Sequence, residues 1–449
     1  MSKKVLIQAA LLLLLFFPLS ALSAITLDEA LQAGRANNLS LTSTAIDVNA
    51  AKRDVDTSWN LFIPSLSLSL SNAGGGPVFN AATTSYTNPL TGVTADIPMG
   101  SMNRGLSASL SVSLTLNPAV KNQMDSYRLG YQIQQVTYEQ AKAEVERTIT
   151  KLFYYLLMEE QNIGVQQANL ELAQKQYEEV QLKFEQGFAS ELEVLSSQLA
   201  AERLKPSLQQ AKNQYASNLL TLKAMLGMEL DQELVVEGEI PSLIKELEVQ
   251  DLKEYLEKSY SIALIDLNIA QMRMTQKQNR EQALLPTIMI KGTYDISLWS
   301  ERNPINDFSD SATYTVALSI PLDGFIPNSR TKVGLAKLDD SVQKLALQRQ
   351  QAVKQLEVSV VGQVQSLNML ASQAELATQS LELTEKVYIM NHIQYESGYI
   401  GRVALEEAQN NLLGARQQVL ALQFQYVSSL IDLIYDLNIQ HQYRTKELI

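Results

Sequence analysis

Few side chains in this 449-residue chain are suited to covalent or metal chemistry. It has no cysteine, so disulfides, thiolate metal sites and thiol nucleophiles are excluded. Two histidines, His392 and His441, leave almost no material for a histidine metal centre or a Ser-His-Asp arrangement. Carboxylate pairs occur as they would on any acidic helix, and no pocket-forming constellation accompanies them. No cofactor is indicated, and an exported enzyme is the weakest reading. The net charge of −12 becomes −14 once Lys3 and Lys4 leave with an N-terminal signal, and that sign disfavours nucleic acid.

What does recur is a set of polar and charged residues beside glycines. Residues 170–226 reappear without a gap 211 positions later, with 14 identities in 57 positions. Chance would leave roughly three or four, so an internal duplication explains the match. Leu170-Glu171-Leu172-x-x-Lys175-x-Tyr177 returns as Leu381-Glu382-Leu383-x-x-Lys386-x-Tyr388. Glu185-x-Gly187 returns as Glu396-x-Gly398, and Gln214-Tyr215-x-Ser217-x-Leu219 as Gln425-Tyr426-x-Ser428-x-Leu430.

Residues 1–24 have the make-up of an export signal. Lys3-Lys4 is followed by an apolar run around Leu11–Phe17, and Ala21-x-Ser23 suits cleavage after Ser23 or Ala24. The run is short and Pro18 interrupts it, which argues against a membrane anchor. No second long apolar run follows.

The elements that must position the recurring residues follow one plan in each half: helix, strand, loop, strand, very long helix, helix. The first repeat covers 25–228. Thr26-x-x-Glu29 opens a helix expected over 26–60, with strands over 64–71 and 105–116. Between the strands, Asn72 to Asn103 has loop composition. Asn117-Pro118 starts a helix over 118–186, which Gly187 breaks. About 68 helical residues would span roughly 100 Å. Ser190-x-x-Glu193 caps a helix over 190–227 in which Pro206 predicts a kink. A linker covers 229–250. The second repeat, 251–437, opens with an Asp251-x-x-Glu254 cap and a helix to 284, with strands over 287–296 and 313–321 around a polar loop carrying Trp299 and Asn303-Pro304. Helices over 328–397 and 402–436 and a tail, 438–449, complete it.

The strands alternate strictly. Leu66, Leu68, Leu70 and Leu110, Val112, Leu114, Leu116 stand on one face, as do Ile288, Ile290 and Tyr314, Val316, Leu318, Ile320. The opposite faces are mainly Ser and Thr. Four strands cannot close a barrel, for which about eight is the minimum. Apolar-out, polar-in strands of this length fit an outer-membrane barrel with a wet lumen, closed by several chains.

The duplicated plan, the glycine-broken tips, the signal and Pro321-Leu322-Asp323-Gly324 together resemble the TolC-like outer-membrane efflux protein family over essentially the whole mature chain. That resemblance implies a mainly α fold with a transmembrane β part. It implies a homotrimer whose 12-stranded β-barrel in outer-membrane lipid continues as a periplasmic α-helical barrel. The implied role is the exit duct of a tripartite efflux or type I secretion system in the outer membrane of a Gram-negative-type bacterium. Its partners would be a periplasmic adaptor and an inner-membrane transporter. The resemblance places the adaptor-contacting tips at Gln186-Gly187-Phe188-Ala189-Ser190 and Ser397-Gly398-Tyr399-Ile400-Gly401, and the periplasmic gate at Glu407, Glu406, Glu193 and Arg402. The linker and tail would form a belt around the tunnel. The family's mouth often carries two acids after the second tip. Here Ala404 and Glu407 occupy those positions, with Glu193 matching Ala404 in the first repeat, and Ile400 stands where the family has its basic partner.

Two other readings remain from the sequence. An exported scaffolding coiled coil would explain the Gln/Glu/Lys-rich helices but not four alternating strands at matching points. A periplasmic adaptor would carry one helical hairpin flanked by β-rich domains, whereas this chain has two long hairpins.

Overall fold

The computed structural model describes residues 23–75, 82–99, 103–241, 255–300 and 307–439. The segment 1–22, the Asp251-x-x-Glu254 cap, Asn303-Pro304 and the tail beyond Ile439 lie outside them. In chain order the elements are β1 (Ser23–Ile25), α1 (Leu27–Asn37), α2 (Leu39–Asp56), β2 (Ser65–Gly75), β3 (Ala82–Thr87), β4 (Thr94–Met99) and β5 (Asn103–Leu116). There follow α3 (Val120–Glu185), α4 (Glu191–Leu226), β6 (Leu234–Val236), α5 (Tyr260–Leu284), β7 (Thr287–Ser300), β8 (Asp307–Ser319), α6 (Arg330–Glu396) and α7 (Arg402–Asp436). They form two compact units. Of the described residues, one unit gathers those of 23–48, 134–266 and 348–439, and the other those of 49–133 and 267–347.

The first unit holds the main hydrophobic core. Ile149, Phe153 and Leu156 repeat at helical spacing along α3 and meet Leu222 and Leu226 of α4, Val364 and Leu367 of α6, and Ile431 and Leu433 of α7. Each is at most 2% exposed. Beside this core, Lys151 pairs with Asp432 at 2.8 Å and Arg147 with Asp436 at 3.2 Å. The two partners on each helix are one turn apart, so the pairs set the register of α3 against α7. Buried Glu146 is held by Arg35 of α1 at 2.6 Å.

In place of the single helix expected over 26–60, the capping box of Thr26 and Glu29 opens α1, and Asn38 then leaves helical geometry at ψ 123°. Its side-chain oxygen accepts from the amides of Ser40 and Leu41, and its Nδ2 donates to the Met225 carbonyl. Asparagine thus ends one helix and starts the next. The linker after α4 is also structured. Its β6 pairs in parallel with β1, Ser23 opposite Leu234 and Ile25 opposite Val236. Ile25, whose carbonyl accepts from Glu237 at 3.0 Å, survives cleavage after either Ser23 or Ala24. Helix α4 continues unbroken through Pro206.

The second unit carries an antiparallel sheet in the order β2-β5-β7-β8. Its strands run longer than the alternation suggests, because the ladder continues through Gly74 and Gly75 and as far as Ser300. The stretch expected as loop between β2 and β5 holds a separate hairpin, β3 with β4, in register from Ala82–Met99 to Thr87–Thr94. Leu66 (70% exposed) and Tyr314 (88%) typify an apolar face left bare. On the other face serine hydroxyls pair across strands, Ser67 with Ser111 and Ser297 with Ser309, each at 2.7 Å. Polar contacts from Asn122 to Glu281, Gln123 to Gln278 and Ser126 to Gln271 hold the start of α3 against α5.

After β8 the chain turns through Pro321-Leu322-Asp323-Gly324 onto the end of α5. Gly324 is buried, and a Cβ there would stand 2.5 Å from the Ala283 carbonyl oxygen and 2.9 Å from Leu284 Cδ2. Only glycine permits this approach. Gly324→Ala is therefore expected to destabilise by roughly 1–3 kcal/mol. Thermal unfolding of the detergent-solubilised protein followed by circular dichroism checks this, and a melting curve matching the unsubstituted protein would refute it.

Candidate functional site: two glycine-broken helical tips

The two tips are built by the same backbone device. Gly187 and Gly398 take positive φ, 78° and 76°. In the first tip the Gly187 amide donates to Phe184 and the Phe188 amide to Lys183. In the second, Gly398 donates to Tyr395 and Tyr399 to Gln394. This pair of bonds satisfies the last carbonyls of each long helix and reverses the chain within a few residues. The residue after each glycine is an outward-facing aromatic ring, Phe188 (82% exposed) and Tyr399 (84%). Leu192, Leu195 and Leu199 add an exposed apolar stripe on α4, and Val403 is bare on α7.

The return helices start differently. Ser190 caps α4: its hydroxyl accepts from the Glu193 amide, while the Ser190 amide donates to Glu193 Oε2 at 2.7 Å. Those bonds, with Arg402 nearby, hold the Glu193 carboxyl below the usual carboxylate range. Glu193 thus serves as a helix-cap partner while remaining exposed. In the second tip Gly401 stands at the cap without a side-chain bond, and Ala404 replaces the acid. The absence of an acid at 404 thus removes a cap partner.

The structure brings Arg402 to the first tip. Its Nη1 donates to the Glu193 carbonyl at 2.8 Å and to Ser196 Oγ at 3.3 Å, tying the start of α7 to α4. Half-buried Glu406 lines a small recess with Arg402, Gln176, Glu179 and Tyr395. Glu407 points elsewhere. Leu405, Ala408 and Gln409 are buried, whereas Ala404, Glu407, Asn411 and Gly414 form an exposed stripe at three- and four-residue spacing. Glu407 is the only charge on that stripe and has no ion pair with a described residue. Gln186, Ala189, Ser397 and Ile400 complete the turns.

Two contacts at the tips were not evident from the sequence. Lys183 Nζ lies 5.9 Å from the Tyr395 ring, and buried Gln409 donates to Asn169 at 2.8 Å. Both join helices of different repeats, and a one-dimensional pattern gives no partner for either.

Comparison with curated proteins finds no match. Among solved structures, CusC shares 16% identity at a TM-score of 0.68, over 93% of this chain and 92% of its own. The Campylobacter jejuni CmeC outer membrane channel shares 16% at 0.67, over 92% and 85%. The Vibrio cholerae outer membrane protein VceC shares 14% at 0.66, over 92% and 95%. At these identities the likeness is one of fold. The family model for outer membrane efflux proteins matches residues 30–228 and 252–436. With both repeats matched, the chain belongs to the outer membrane efflux protein family.

Proposed function

We propose that three copies of this chain form the outer-membrane exit duct of a tripartite efflux or type I secretion system. The duct receives substrate from an inner-membrane transporter through a periplasmic adaptor. The observation that carries this reading is the four-stranded sheet, with outer strands β2 and β8, a bare apolar face and a hydroxyl-lined face. In lipid, each unpaired edge amide or carbonyl costs several kcal/mol, so β2 of one copy must pair with β8 of the next. Their directions allow it, because the four antiparallel strands leave β2 and β8 pointing oppositely.

Two copies would give about eight strands, whose interior side chains fill, whereas three leave a wet lumen. Three is also the number that the family resemblance implies. The tips suit the adaptor. They offer exposed Phe188, Tyr399, Leu192 and Val403 on rigid, glycine-reversed ends. In the trimer Glu407 would form a ring of three carboxylates, favouring cations and open to block by divalent ions. A scaffolding coiled coil has no use for the sheet.

The native mass of the detergent-purified protein is expected at three mature chains; a stable monomer would sink the barrel. In planar bilayers, Glu407→Gln is expected to relieve block of the pore by divalent cations by about tenfold. Unchanged block would remove Glu407 from the gate. Deleting Gly398–Arg402 is expected to abolish export while the trimer survives, and loss of the trimer in that variant would refute a docking role.

A further inference from the structure

Within its span the hydroxyl-bearing face of the sheet carries Lys291 and Asp295, both on β7; by register Asp307, opposite Trp299 at the start of β8, falls on the same face one ring further along. Their side of the sheet is fixed by register. Lys291 stands opposite Ser113 and Thr315, and Asp295 opposite Ser109 and Ser311. Ser297, two positions beyond Asp295, shares its hydroxyl bond with Ser309 on this face. Asp310, the acid bonded by Tyr294, belongs to the opposite, apolar face. Neither Lys291 nor Asp295 has an ion pair with a described residue, so their charges are not neutralised locally.

Resting on the proposed closure of three copies, we infer that Lys291 and Asp295 are the specificity-determining residues of the barrel lumen for small ions. They form a basic ring and an acidic ring in series. Lys291 lies four residues into β7 and Asp295 four further, about 13 Å along the strand at 3.3–3.4 Å per residue, which a strand tilt of about 40° reduces to about 10 Å between the rings along the pore. That matches the screening length of about 10 Å at 0.1 M salt, so each ring is felt mainly by ions at its own level. Every cation must then pass the lysines and every anion the aspartates. Their neighbours are hydroxyls, which solvate either sign and favour neither.

The test is the cation-to-anion permeability ratio of single channels in planar bilayers at 0.1 M salt, compared with the unsubstituted protein under the same gradient. Because Glu407 lies in series and is unchanged, the readout is the shift and not the absolute preference. Lys291→Gln is expected to raise the ratio and Asp295→Asn to lower it, each on the order of twofold. The double variant should return towards the starting ratio, a cancellation that a folding defect would not produce. Channels of normal conductance whose ratio is unmoved in both single variants would overturn the inference and leave the duct standing. If the unsubstituted trimer does not conduct at all, the duct reading falls and the rings with it.

Discussion

The pairing of backbone amides and carbonyls along β2 and β8 is the constraint on which the rest depends. A four-stranded sheet satisfies its inner ladders and leaves two edges whose hydrogen-bonding groups have water or another strand as their only partners. The side chains permit no third arrangement. One face is leucine, valine and tyrosine without cover, and the other is serine hydroxyls bonded to one another across strands. Such a sheet is badly suited to fold back on a soluble core and well suited to close in lipid. In the proposed closure, four strands per chain would also keep the antiparallel alternation intact from one copy to the next.

Duplication explains both the economy of the helices and their divergence. Each repeat ends its long helix on a left-handed glycine followed by an exposed aromatic ring. The return helices then part ways. Ser190 and Glu193 cap one, whereas Gly401 and Ala404 leave the other uncapped. Arg402 compensates by reaching the Glu193 carbonyl, so the uncapped start is anchored on the capped one. The asymmetry frees the exposed stripe of α7 from every charge but Glu407.

Much of this was legible in the residues. Alternating serines and leucines marked β2 and β5, and the glycines at 187 and 398 marked the turns. The resemblance to the family was carried by those same features. What stayed hidden depends on partners distant in sequence. Asn38 interrupts a helical pattern because Met225 accepts its side chain, and nothing local signals that. The β3–β4 hairpin lies in a stretch with loop composition, where its own ladder and turn outweigh propensity. Strand β6 is three residues long, too short for any period, and exists because β1 lies alongside. The reason for glycine at 324 is the Ala283 carbonyl, which only the folded chain brings near. At the tips, the capping box of Ser190 was visible, but its consequence for Glu193 was not. The carboxylate that stands exposed beside the tip is also the partner of its helix start.

The parallel pairing of β1 with β6 also bears on the order in which the molecule is made. Ile25, which the expected cleavage leaves in place, and its partner Val236 are 211 residues apart. A chain exported N-terminus first presents its opening strand long before the partner strand emerges. That strand has no partner to pair with until the whole first repeat has been delivered. The short ladder can therefore close only after the whole first repeat has been made.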